Sequence, residues 1–127
     1  MAKIESLEQK RAKLAWEFVQ GLKDKRKDKQ KDFKSVIRKL PAMILTSGYG
    51  QTIAFHLAKG KDKPHYAIIK NVVAAIYELT KISDIETPEK LMEKITSTDH
   101  ETYILLSKET LKYATWLKRF AEAELEG

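Results

Sequence analysis

Apolar residues recur through this chain every three or four positions, and nowhere do they alternate at every second one. That regularity restricts the fold more than any other feature, because a 3.6-residue period buries one face of a helix and a two-residue period buries one face of a strand. Leu7, Leu14, Phe18 and Leu22 form a first stripe, flanked by Ala15, Trp16 and Val19. Phe33, Val36, Ile37 and Leu40 form a second. A broader third contains Tyr66, Ile69, Val73 and Ile76, with Ile68, Val72, Ala75 and Leu79 beside them. Leu91, Met92 and Ile95 mark a short element. Tyr103, Leu106, Tyr113, Leu117, Phe120 and Ala121, widened by Ala114 and Trp116, mark a long last one. The expected fold class is all-α, a compact bundle of five to seven helices forming a single domain over residues 1–127. A chain of that length encloses a core without covalent staples, and it contains no cysteine.

Helix boundaries follow from capping chemistry. Ser6 and Gln9 have capping-box spacing, in which each side chain satisfies the other's backbone N–H at a helix start. Proline disfavours helical geometry in the residue before it, so the Phe33–Leu40 helix is expected to end before Pro41. Pro41 is then expected to open the next helix, running to about Ala58 with Gly60 as its stop. Gly48 and Gly50 fall inside that segment, and each disfavours a helix interior by about 0.5–1 kcal/mol. Close approach of a neighbouring backbone is the favoured explanation over a local break, which makes Pro41, Gly48 and Gly50 candidate helix-packing positions. Lys61–Pro64 reads as a turn, Thr87 as a cap with Pro88 at the first helical position, and Thr98 with Glu101 as a second capping box opening a helix to about Glu124.

The charge is unevenly placed. Residues 1–63 carry 16 Lys/Arg against 7 Asp/Glu, and residues 64–127 carry 8 against 11. The densest stretch, Lys23–Lys39, holds nine Lys/Arg and three acids and leads into the apolar segment Leu40–Leu45. A basic rim anchored on a packed core can follow one backbone geometry, so the partner this implies is a nucleic acid. Asp24, Asp28 and Asp32 recur every four residues among the lysines, and neighbouring opposite charges of this kind support a helix weakly, by about 0.2–0.5 kcal/mol a pair.

Catalytic chemistry is poorly represented. His56, His65 and His100 fall in different elements without metal-ligand spacing, and His56 is expected at or near the surface. Ser47-Gly48-Tyr49-Gly50 lacks the Gly-Lys-Ser/Thr ending of a phosphate loop. No nucleophile, base and oxyanion set is evident, so neither enzymatic activity nor a cofactor or metal is expected. Residues Met1–Glu5 are charged and do not read as a secretory leader, and no apolar run approaches the ~20 residues of a membrane helix. With no cysteine, a cytoplasmic location is the expectation.

The segment Lys39-Leu40-Pro41-Ala42-Met43-Ile44-Leu45-Thr46-Ser47-Gly48-Tyr49-Gly50-Gln51-Thr52-Ile53-Ala54-Phe55 resembles the small helical subunit of type III-B CRISPR effector complexes, the Cmr complex. Arg11–Ala15 is similar to that family's first helix and Trp116–Ala123 to its closing one, so the resemblance spans nearly the whole chain. It implies a non-catalytic subunit whose copies stack head to tail in a minor filament and help hold guide RNA and target RNA. It also implies the backbone and large subunits of the complex, and neighbouring copies of the same chain, as partners. Lys39, Lys118 and Arg119, inside the matching patches, are the first candidates for RNA contact, with Lys29, Lys34 and Arg38 extending the same surface. Contacts of this type fall on phosphate and sugar and read no sequence. The alternative is a free-standing, basic helical protein binding double-stranded DNA. Such a protein presents a recognition helix with base-reading side chains, whereas only Arg26, Gln30 and Arg38 interrupt the lysine-rich run in that sense.

Overall fold

Burial of the apolar stripes organises the chain into six helices in the computed structural model, which describes residues 5–127. The reading of the charged N-terminus at Met1–Ile4 lies outside the described residues. The helices are α1 (Leu7–Leu22), α2 (Lys27–Ser47), α3 (Tyr49–Ala58), α4 (Pro64–Thr80), α5 (Pro88–Ser97) and α6 (His100–Glu124). No strand occurs among the described residues, and the fold is the all-α bundle expected. Helix α6 packs against α1, α2 and α4, while α3 lies across α2, α4 and α5. One core joins them, built on Val19, Ile37, Leu40, Ile53, Ile69, Val72, Ile76, Leu106, Tyr113 and Leu117.

The first helix starts as its sequence dictates: Gln9 N–H donates to Ser6 Oγ and Ser6 N–H donates to Gln9 Oε1. Its buried face is rotated from the expected one. Arg11, Ala15, Val19 and Leu22 point inward, Leu14 and Phe18 are half-buried, and Leu7 and Trp16 are exposed. The charged member of that face, Arg11, makes a bidentate pair with the buried Glu109 carboxylate of α6, one bond of which measures 2.9 Å. Its pKa is raised, chiefly by the hydrogen bond to Glu109 and against the effect of burial. Polarity alone would have put both residues on the surface, and only their mutual neutralisation allows burial.

Two expectations about the centre of the chain are corrected. Helix α2 does not end before Pro41 but continues through it to Ser47. Phe33, Ile37, Leu40 and Ile44 form one buried stripe spanning the proline, and burying it as a unit outweighs the backbone hydrogen bond that Pro41 cannot donate. The break comes at Gly48, whose φ of 90° and ψ of 159° lie in a region essentially reserved for glycine. Among the described residues no neighbouring atom lies within 4 Å of where a Gly48 Cβ would sit, so this glycine serves the turn between α2 and α3 and not close packing. Gly50 does lie against other elements. Its Cβ would meet Ile95 Cγ2 at 3.4 Å, and its N–H donates to Tyr103 Oη at 3.2 Å.

Thr87 caps α5 through Lys90 N–H with Pro88 in the first turn, as expected. The cap of α6 is shifted by one residue: Asp99, not Thr98, accepts from a backbone N–H, that of Thr102, at 2.7 Å. The same hydrogen bond lowers the Asp99 pKa, since it favours the ionised carboxylate.

Candidate nucleic-acid interface

The candidate cations lie on α2 and on the last turns of α6, two helices that pack side by side. On α2 the buried stripe leaves Arg38 and Lys39 exposed, and on α6 Lys118 and Arg119 flank the buried Leu117. Packing the helices brings Arg38, Lys39 and Lys118 together with Ser35 and Glu122 around a shallow groove of about 330 Å³. Glu122 lies 3.9 Å from the Arg38 guanidinium and 3.8 Å from that of Arg119. One carboxylate thus stands among four cationic side chains and leaves a positive excess. These ion pairs are solvent-exposed and contribute little to stability, so the guanidiniums can exchange Glu122 for a phosphate at small cost.

Lys34 and Lys29 are placed differently. The Lys34 ammonium donates to the carbonyls of Leu125 and Gly127 at 3.2 and 2.9 Å, which ties α2 to the C-terminal segment. Lys29 is exposed one helix stretch earlier, about 15 Å of helical rise from Lys39, and does not line the groove. Gln30, between them, is buried and donates to the carbonyls of Lys23 and Lys25, fastening the α1–α2 turn. Its amide oxygen accepts from Glu126 N–H. A buried glutamine within a lysine run gives no hydropathy signal, so this clamp was not legible from residue type.

Lys39 also borders a second, larger concavity of about 380 Å³, which shares Ser35 and Lys39 with the groove. Val36, Met43, Phe55 and Pro64 give it an apolar lining, and Lys59, Lys63, His56 and His65 line it from α3 and the start of α4. The expectation of a surface or half-buried His56 is corrected: it is 1% exposed, with Nδ1–H donating to the Thr52 carbonyl at 2.7 Å. Burial lowers its pKa, and Lys59 adds to the effect. His65 is lowered too, by burial first and then by His56 and the lysines around it. None of these residues was a sequence candidate, because Lys39 lies 20 to 26 positions away from Lys59 to His65 and only the packing of α3 and α4 on α2 closes the distance. The one available signal was the density of lysine in the Lys59–Lys63 turn.

Among the described residues no group of three or more His, Cys, Asp or Glu could hold a metal ion, and no helix is long and apolar enough to cross a membrane. The fold and surface define a class: a small all-helical protein with a cluster of cations where α2 meets α6.

Residues 7–124 match the family described as "CRISPR-associated protein (Cas_Cmr5)", and the chain belongs to that family. It is similar to the CRISPR system Cmr subunit Cmr5 of Thermus thermophilus, with 27% identity over 97 residues, covering 75% of this chain and 76% of the relative. It also shares its fold with the crystal structure of a CRISPR-associated Cmr5 family protein, again from Thermus thermophilus. That likeness has a TM-score of 0.79 at 24% identity and covers 97% of this chain and all of the other. The family resemblance drawn from residues 39–55 and the two terminal patches is thereby established.

Proposed function

We propose that this protein is a non-catalytic small subunit of a type III-B CRISPR ribonucleoprotein effector, the Cmr complex, acting in the cytoplasm in antiviral defence. Its copies stack head to tail in a minor filament and help hold guide RNA and target RNA against the backbone and large subunits. Family membership supports the assembly, and it leaves the free-standing DNA-binding alternative without support of its own.

The observation that carries the RNA-holding role is the meeting of Arg38, Lys39 and Lys118 in one groove, with Arg119 joined to it through Glu122. These side chains grip phosphate, Lys29 extends the surface along α2, and Lys34 contributes where it borders the C-terminal segment. A surface suited to a neighbouring copy is α5 and the loop before it, where Asp84, Glu86, Glu89 and Glu93 outnumber Lys81, Lys90 and Lys94. A basic face meeting an acidic one is a heterologous contact that can extend as a filament.

The test is a salt titration of the assembled complex on target RNA. Each phosphate contact on a single strand contributes about 0.7 to the slope of log K against log salt. Changing Arg38, Lys39, Lys118 and Arg119 to Ala should lower the slope by up to about 2.8 while leaving helicity unchanged. An unchanged slope removes these residues from the RNA path. Crosslinks in the same particle should join α2 of one copy to α5 of the next; like-to-like crosslinks would rule out the filament contact.

A further inference from the structure

The larger concavity is separate from the groove that carries the RNA-holding reading, and it differs in composition. Its lining combines cations (Lys39, Lys59, Lys63) with apolar and aromatic surface (Val36, Met43, Phe55), and Asp32 is its one acid. A site for a simple anion needs no aromatic wall, and a site for an apolar side chain needs no lysines. A nucleotide requires both: charge for its phosphate and a flat apolar face for its base. At about 380 Å³ the space lies within the range of small-ligand sites.

We propose that this cleft receives one nucleotide of a single-stranded RNA, its phosphate held by Lys59 and Lys63 and its base laid on the ring of Phe55. The proposal rests on the RNA-holding reading above and names a second contact beyond the Arg38–Lys118 groove. Lys39 borders both concavities, so a strand held in the groove passes directly to the cleft. Phe55 is 42% exposed, and the Lys59 ammonium stands 4.7 Å from its centroid. A base stacking there displaces that ammonium from the ring face and leaves it beside the phosphate it would pair with. The ring is held by edge contacts to His56 and His65, with centroids 5.4 and 6.2 Å away.

The two imidazoles, 5.6 Å apart, add a proton-linked component. His56 Nδ1–H is committed to the Thr52 carbonyl, while His65 Nδ1 is buried with no hydrogen-bond partner among the described residues. The charged groups lining the cleft around them are Asp32 and Lys39 from α2, Lys59 at the end of α3, and Lys63 before α4. The lysines oppose imidazolium formation, and an arriving phosphate offsets them. Binding therefore draws a proton onto the pair and strengthens as pH falls through the range where the free imidazoles are neutral, by up to about tenfold per pH unit for one proton.

The experiment titrates the full-length protein with a short oligouridylate, following imidazole and Phe55 ring resonances by NMR at pH 7.5 and 6. Phe55 and His65 signals should shift, with tighter binding at the lower pH. F55A should weaken binding at least about fivefold, roughly the smallest effect of losing a base–aromatic stack. The K59A/K63A double variant should lower the salt slope by about 1.4. These side chains are exposed, and unchanged helicity confirms that the variants fold. Loss of binding in R38A/K118A with none in F55A or K59A/K63A overturns the cleft proposal and leaves the RNA-holding reading intact. If none of the variants alters RNA binding by either the chain or the assembled complex, the RNA-holding reading itself fails. Equal displacement of the oligonucleotide by a glutamate-rich peptide, without loss in F55A, would make the cleft a protein-docking site and overturn the nucleotide assignment.

Discussion

Consider replacing Arg11 with Met. The wild-type side chains of Arg11 and Glu109 are 7% and 6% exposed, so neither can regain water if its partner is removed. Arg11 has a second carboxylate in reach, Glu8 at 3.3 Å, which is itself 60% exposed. Among the described residues, only Arg11 donates hydrogen bonds to the Glu109 carboxylate. R11M therefore strands a buried carboxylate, and breaking such a pair costs about 3–5 kcal/mol. E109M leaves the guanidinium with Glu8 and should cost less, about 2–3 kcal/mol. At about 2.1 cal/mol/K of unfolding entropy per residue, each kcal/mol moves the Tm of a chain of 127 residues by about 4 °C. The expected drops are about 12–20 °C for R11M and about 8–12 °C for E109M. The double variant R11M/E109L exchanges the pair for apolar volume and should return to within about 4 °C of wild type, because such exchanges are often neutral or better. A stranded carboxylate also escapes by taking up a proton. Its folded pKa then lies above its unfolded value, so the R11M deficit is full at neutral pH and shrinks as pH falls through the raised folded value. Thermal melts of the three variants at pH 7 and pH 5 test all of this. Single losses that simply add in the double variant, with no pH dependence in R11M, would refute the claim that the pair is held by mutual neutralisation.

Other outcomes follow from backbone and capping geometry. G48A should lose about 1–3 kcal/mol in denaturant melts from φ alone, since no neighbour obstructs the new methyl group. G21A, in an α1 position with open space around it, should gain about 0.5–1 kcal/mol. D99A should cost about 1 kcal/mol and T98A much less, because Asp99 makes the capping bond. His56 is held neutral by burial, so its folded pKa lies below its unfolded one. Its contribution to stability is complete above the unfolded value near 6.5, and it is lost as pH falls from there toward the lowered folded value, by up to about 1.4 kcal/mol per pH unit. Urea midpoints between pH 7.5 and 5 should fall in wild type and fall less in H56Q.

Local chemistry wrote much of this molecule directly into the chain. The helical periods, the Ser6 and Thr87 caps, and the exposure of Lys39 and Arg119 all depend on residues within one or two turns of each other. The passage of α2 through Pro41 was misread from the local rule, although Phe33, Ile37, Leu40 and Ile44 keep one stripe across the proline. The local rule against proline yields to that longer pattern. Gly48 shows the reverse: with no side chain to count in any stripe, the position of the break depended on where α3 had to turn to cover α2.

What the sequence by itself determined is the helical class, most helix ends, and the side of the protein on which positive charge gathers. What only the tertiary structure decided is which distant groups meet: Arg11 with Glu109, Gln30 with the C-terminal segment, and Lys39 with Phe55, Lys59 and His65. The physical reason is that a periodic pattern specifies which face of a helix is buried and carries no information about its neighbour. A polar residue on a buried face therefore looks like an error until its partner arrives from another helix.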